Sequence, residues 1–251
     1  MYIIQSSTQM KTNPTESSSL ETECLFGEKV EIIDEYLDWI YCKLETDNYC
    51  GWIKRKSLGD LQNPTYRVIA KRSFIYEKKD AKSNCLIYLP MGAKLVIKKI
   101  QSPWAEVSLS NNYNIQIGYI PSNHVVKIRH IVKDWVAIAE SLINTPYRWG
   151  GKDTIGIDCS ALLQLSYENY GEIIPRNTID QIKLIKPTIN DVSALRRGYV
   201  VFWRGHVAIM TDKLNCVHAN AFHMKTIIEP LKDVMSRMDK KHKIQKILNF
   251  N

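Results

Sequence analysis

The chain has 251 residues, 45% of them hydrophobic and 24% charged, which is enough apolar material for two or three compact units. Its 34 basic against 26 acidic residues give a net charge of +8, yet no basic stripe with interleaved aromatics accompanies it, so nucleic acid is not expected as a partner. No apolar run approaches the roughly 20 residues that span a bilayer, the start lacks a basic segment followed by an apolar one, and the six cysteines show neither paired zinc spacing nor the density of a disulfide scaffold. A cytoplasmic protein with no membrane partner, no metal and no cofactor is expected.

Residues 1–19 are polar and read as an irregular lead-in. From Glu21 to Leu58 come short β-rich runs separated by charged or Asn/Asp turns, the pattern of a small barrel. The pattern then repeats. Gly27 lies twelve residues before Trp39 and Gly92 twelve before Trp104, and each copy closes on Gly-aromatic-Ile, Gly51-Trp52-Ile53 and Gly118-Tyr119-Ile120. With Asn63-Pro64 as the junction, two related modules are expected at 1–62 and 63–129. The first has Glu28 where the second has Ala93, and Tyr49 where the second has Gln116, two polar groups that a spacer does not require.

The remainder, 130–251, reads as an α+β unit. Ile131, Trp135, Ile138 and Leu142 share a helical stripe that is expected to pack a core. The stretch Thr145 to Ser160 then places Cys159 in the first turn of a helix: Gly150, Gly151 and Gly156 permit tight turns, Asp158 is a good N-cap, and the helix stops at Gly171. Unpaired amides and the helix dipole there favour thiolate over thiol. Tyr147 is placed to donate to a developing oxyanion beside the Cys159 amide, or else to pack, and Trp149 either fills a core or lines a pocket.

Ile174 to Gln181 reads as a turn leading into a short helix, and Tyr199 to Trp203 as a buried strand. Downstream, Arg204 to Ala219 reads as two strands joined near Asp212 to Asn215, with His206 on one and His218 on the other. Their even separation puts both on one sheet face when the turn holds an odd number of residues or a bulge intervenes. A nucleophile, a base and an orienting group can thus converge. Asp212 reads as turn chemistry, His223 and His242 as surface residues, and Lys240, Lys241, His242, Lys243 and Lys246 as a solvated face.

Tyr147-Arg-Trp-Gly-Gly151, Gly156-Ile-Asp-Cys-Ser160, Pro175-Arg176 with Gln181, Gly205-His-Val-Ala-Ile209 and His218-Ala219 together resemble the NlpC/P60 family of cysteine peptidases. The family usually has Gly where this chain has Ala161. That resemblance implies a papain-like fold and hydrolysis of bacterial wall peptides, with Cys159 as nucleophile, His206 as base and His218 orienting His206. The two β modules resemble bacterial SH3-like domains. Two of these before an NlpC/P60 domain resemble the γ-D-glutamyl-L-diamino acid endopeptidases, which cleave after γ-linked D-Glu in peptides with a free N-terminal L-Ala.

By that resemblance Glu28 and Tyr49, with Asp158 and Ser160 flanking the nucleophile, enclose the free amine, and the partner is a murein-derived peptide used in wall-peptide recycling. Diaminopimelate and Lys both remain open for the residue after D-Glu. So do a secreted hydrolase of intact wall, a thiol-dependent acyltransferase, and a wall-binding protein with an inert peptidase domain.

Overall fold

The computed structural model describes residues 1–110, 113–238 and 243–251, which fall into two compact units, Met1–His130 and Ile131–Asn251. Lys240, Lys241 and His242 lie outside the described residues. Among the described residues no helix is long and apolar enough to cross a membrane.

The first unit holds two β modules. In the first module, antiparallel strands run in the order Leu20–Leu25, Ser7–Lys11, Cys50–Lys54, Trp39–Leu44, Val30–Tyr36. Period-two alternation turns Ile40, Cys42 and Leu44 inward, where they meet Met10, Cys24, Val30 and Ile53. The lead-in expected over residues 1–19 is partly sheet: Tyr2–Ile3 pairs with Leu58–Gly59, and Ser7–Lys11 lies inside the five-stranded sheet. Only Ile3 and Met10 carry those strands into the core, both 0% exposed, and one buried apolar residue per strand leaves no visible period.

The second module repeats the plan in a seven-stranded sheet that includes Lys94–Gln101, Trp104–Ser108 and Ile117–Pro121 around Val68, Ile75, Leu89, Ala105, Val107 and Ile120. The repeat extends to its irregularities. Register slips between Ile32 and Asp34 in one copy and between Ile97 and Lys99 in the other, and both aligned glycines have positive φ, 77° at Gly27 and 88° at Gly92. The modules are joined through backbone: the Lys94 amide donates to the Phe26 carbonyl at 2.8 Å, and Phe26 sits in the second core.

In the second unit an antiparallel sheet runs Lys225–Pro230, Asn215–Asn220, His206–Met210, Tyr199–Trp203, Lys246–Asn249. Helix Cys159–Glu168 packs against the two central histidine-bearing strands and is buried from Cys159 through Tyr167. Trp135, Tyr167 and Phe250 form an aromatic cluster, with Trp135 and Phe250 rings 5.2 and 4.9 Å from Tyr167. Leu231 and Val234 of helix Leu231–Arg237 close a second core with Val201, Trp203, Ala208, Met210 and Cys216.

The helical stripe is shorter than expected. Asp134 caps a helix over Trp135–Ser141, so Ile131 precedes it and is 57% exposed, and the buried set is Trp135, Val136, Ala139 and Leu142.

Gly27 carries a test of the module joint. A Cβ there would stand 2.0 Å from the Lys94 carbonyl oxygen at φ 77°. Backbone strain alone costs about 1–3 kcal/mol. Gly27→Ala is expected to lower the urea midpoint by at least that equivalent, whereas a wild-type midpoint would mean that this contact is not a joint.

Candidate active site

Cys159 opens its helix because Asp158 caps it, accepting the Ala161 amide at 2.8 Å. The same carboxylate accepts the Gly150 amide at 3.0 Å, the Ser160 hydroxyl at 3.0 Å, and Arg176 Nη1 and Nη2 at 3.0 and 2.7 Å. Arg176 is 2% exposed and also donates to Ser160 Oγ at 2.7 Å. Gln181, 0% exposed, ties the helix start to the Pro175 segment by donating to the Ser160 and Pro175 carbonyls at 3.0 and 2.9 Å. Ahead of the cysteine the loop closes on itself so tightly that a Cβ on Gly151 would lie 2.3 Å from the Gly156 carbonyl oxygen.

Asp158 and Ser160, expected to help enclose an ammonium, are both engaged in this network. Asp158 already receives five donors, including both ends of a buried guanidinium, so its charge is neutralised inside the domain. The Ser160 hydroxyl is likewise engaged on both sides, by Asp158 and Arg176. Glu28 and Tyr49 belong to the other unit, and each has a partner there: Glu28 accepts the Leu25 amide at 2.8 Å, and the Tyr49 hydroxyl donates to Glu21 at 2.8 Å.

The Cys159 side chain is 8% exposed. Burial and the adjacent Asp158 charge push its thiol up to about 12, against the opposing pull of the Val207 amide, Arg176 and the Ser160 amide. A resting thiolate, expected from the helix start, is therefore corrected to a resting thiol: desolvation of the charged form outweighs the dipole and the amides.

His206 and His218 converge as expected, with His206 Nε2 and His218 Nδ1 2.8 Å apart. The turn that joins their strands, residues 211–215 between the paired Met210 and Cys216, holds an odd number of residues. Continuing that register sets Ala208 opposite His218, so the two histidines lie diagonally on one face, within reach of long side chains. The diagonal continues. His218 pairs opposite Ile227, and Glu229, two residues on, approaches His218 Nε2 at 2.8 Å with its Oε1, which also accepts Arg237 Nη2.

Burial, then neighbouring His218, lowers His206 to about 3, and burial also lowers His218 against the pull of Glu229. Burial pushes the Glu229 carboxyl up, but the bonds from Arg237 and His218 together prevail and hold it below the usual range. His218 Nε2 therefore bears the proton donated to Glu229, and its Nδ1 accepts one from His206 Nε2. That leaves His206 Nδ1 as the ring nitrogen outside the relay.

Tyr147 sits close enough to Cys159 that the sulfur's charge joins burial in pushing its phenol up to about 12, so it is a neutral hydrogen-bond donor. Trp149 does not fill a core; it is 70% exposed. His223, expected at the surface, is half-buried and lies 3.7 Å from Glu229.

Glu229 and Arg237 were not anticipated. The signal was available as a third strand, Lys225–Pro230, that follows His218 after a short turn and places an acid in line with it.

Residues 144–246 match the NlpC/P60 family, and residues 11–58 match the bacterial dipeptidyl-peptidase Sh3 domain. The chain carries an NlpC/P60 domain. It is 28% identical over 243 residues to dipeptidyl-peptidase 6 of Lysinibacillus sphaericus, covering 87% of this chain and 86% of that one. It is also 24% identical over 245 residues to the γ-D-glutamyl-L-lysine dipeptidyl-peptidase of Bacillus cereus, covering 86% and 72% of the two chains. A crystal structure of an NlpC/P60 family protein from Bacillus cereus superposes with a TM-score of 0.84 at 19% identity, covering 99% and 98%, which establishes the shared fold.

Two measurements test this NlpC/P60 site. Arg176→Ala strands the buried Asp158 charge and is expected to destabilise the protein by about 3–5 kcal/mol, read from the denaturation midpoint. Separately, a thiol raised to about 12 exposes more thiolate as pH rises. Alkylation of Cys159 by iodoacetamide should accordingly quicken about tenfold per unit from roughly pH 6 to 9. A rate flat across that range would instead reveal a thiolate formed before substrate arrives.

Proposed function

We propose that this chain is a cysteine endopeptidase that hydrolyses the γ-D-glutamyl to L-diamino acid bond of murein peptides with a free N-terminal L-Ala. The observation that carries the chemistry is the diagonal His206, His218, Glu229 row, with gaps of 2.8 Å, on the sheet that meets the buried helix-start Cys159. The relatives' names supply the substrate class, since a dipeptidyl-peptidase releases two residues from an amino terminus.

In the first step Cys159 Sγ bonds to the γ-carbonyl carbon as its proton passes to His206. The carbonyl oxygen takes the charge, with the Cys159 amide and the neutral Tyr147 hydroxyl as its donors. Collapse of this intermediate breaks the C–N bond, and His206 gives its proton to the departing amine of the diamino acid. Water, losing a proton to His206, then attacks the thioester carbonyl and frees the dipeptide and the thiol.

His218 and Glu229 hold His206 in one orientation throughout and favour the imidazolium that each step forms. An unblocked amino terminus belongs to peptides already detached from glycan, so the reading assigns the activity to recycling of released peptides rather than to digestion of intact wall. The six cysteines, all of them free, are in keeping with use in a reducing compartment.

Mass spectrometry of products from L-Ala-γ-D-Glu-diaminopimelate and its N-acetylated form tests bond and amine together. Release of L-Ala-γ-D-Glu is expected, with kcat/KM about tenfold to a hundredfold lower on the acetylated peptide, as for loss of one charge-assisted contact. Cys159→Ala should lower turnover at least about a thousandfold with the fold intact. Cleavage at another bond, equal rates on both peptides, or a Cys159→Ala variant within tenfold of wild type would each sink the reading.

A further inference from the structure

The histidine row ends on a carboxylate, Glu229, that is 9% exposed, and a carboxyl so placed favours its protonated form unless something holds the charge. Two donors meet its Oε1, His218 Nε2 at 2.8 Å and Arg237 Nη2. Burial pushes the carboxyl up, and the bond from Arg237, ahead of that from His218, brings it back below the usual range. His218 and Cys216 face Glu229 from the neighbouring strand, His223 from the turn at 3.7 Å, and Arg237 from the last helix. Of these groups Arg237 carries the permanent charge.

Simple spacing brings Arg237 to this place. Leu231, Val234 and Arg237 stand three residues apart on helix Leu231–Arg237 and so share a face. The first two, 4% and 2% exposed, pack into the core, and the third reaches Glu229. The Phe222 ring, with its centroid 4.7 Å from the guanidinium carbon, backs the plane of the fork. A planar fork can lie on a ring and still bond a carboxylate through its edge.

The state of Glu229 sets the protons along the row. An ionised carboxylate only accepts, so His218 carries its proton on Nε2; His218 Nδ1 is then an acceptor, and His206, 2.8 Å away, carries its own on Nε2. His206 Nδ1 is left with a lone pair. A protonated Glu229 donates to His218 Nε2 instead, and the order reverses: His218 Nδ1 donates, His206 Nε2 accepts, and His206 Nδ1 is blocked by a proton.

We propose that Arg237 is a positioning residue: its charge keeps Glu229 an acceptor, and the proton order that follows reserves the His206 Nδ1 lone pair for proton transfer. This rests on His206 acting as the base in the reaction proposed above, and adds what makes it one.

Nitrogen NMR of the labelled full chain reads which ring nitrogen carries the proton, and kcat across pH reads the consequence. Wild type should show the proton on Nε2 of both rings from about pH 8 down to about pH 5. In Arg237→Gln the Glu229 carboxyl loses its countercharge and should titrate about one to three units higher, so the order should reverse as pH falls through roughly 7 to 5. With the reversal kcat should drop about a hundredfold or more, as for a wrong tautomer in a hydrolase triad, and recover to within about tenfold of wild type by about pH 8, with KM little changed. Burial and His218 come first in lowering His206, but the Arg237 charge adds to them, so its loss moves the acid limb the same way.

Arg237→Lys keeps the charge and should keep the limb near its wild-type pH. Phe222→Ala, at a position 72% exposed, spares the core and only loosens the guanidinium, so both readouts should shift in the same direction by a smaller amount. A proton on His206 Nδ1 in wild type overturns the inference. So does an acid limb that stays in place in Arg237→Gln, or in Phe222→Ala where Arg237→Gln does not fold. A wild-type chain that cleaves no murein peptide overturns the proposed reaction instead, and the spectra still decide the proton order.

Discussion

The position of the nucleophile depends on one buried ion pair. Arg176 and Asp158 lie 2.7 Å apart with side chains 1% and 10% exposed, and taking two such charges out of water costs several kcal/mol each. The cost is offset only because every other acceptor site is filled. Asp158 holds the Gly150 turn, the Ser160 hydroxyl and the Ala161 amide in the first turn of the helix, so the loop before Cys159 and the helix after it share one anchor. Remove the guanidinium and the carboxylate that holds all three is left buried without its countercharge.

Burial sets the second constraint. Desolvation at Cys159 and His206 favours their uncharged forms, and with the thiol up at about 12 and the imidazole down at about 3 the resting pair is neutral. Catalysis then needs charge to develop during the reaction, and the site is built to receive it. The Val207 and Ser160 amides already favour negative sulfur, while Glu229 favours positive charge on His206 through its bond to His218. These dipoles and charges stand in place before the proton moves, so little reorganisation is left for the reacting step. The three-strand diagonal gives that order a simple origin, because each strand contributes one side chain to the same face at successive two-residue offsets.

Much of this was legible because it follows from local rules. A helix start announces itself through Asp158 and the glycines, a strand pair through its turn, and the module repeat through glycines and aromatics at fixed spacing. Cys159, His206 and His218 were found that way. What escaped depended on tertiary context. Ser7–Lys11 enters a sheet with Met10 as its deeply buried apolar residue, too weak a pattern to read. Ile131 has helical spacing but falls outside the Asp134 cap. The pairing of Asp158 with Arg176 left no local pattern because the two lie 18 residues apart in sequence. The thiolate expectation failed for the same reason, since a helix dipole can be read from sequence whereas the depth of burial that opposes it cannot.

Arg237 links the two halves of the site. It braces Glu229, which holds His218, and its charge is also one of the influences that keep His206 and His218 neutral. The bond to Glu229 and the opposing influence on His206 come from the same guanidinium, so the brace that orients the relay also sets how readily His206 takes a proton.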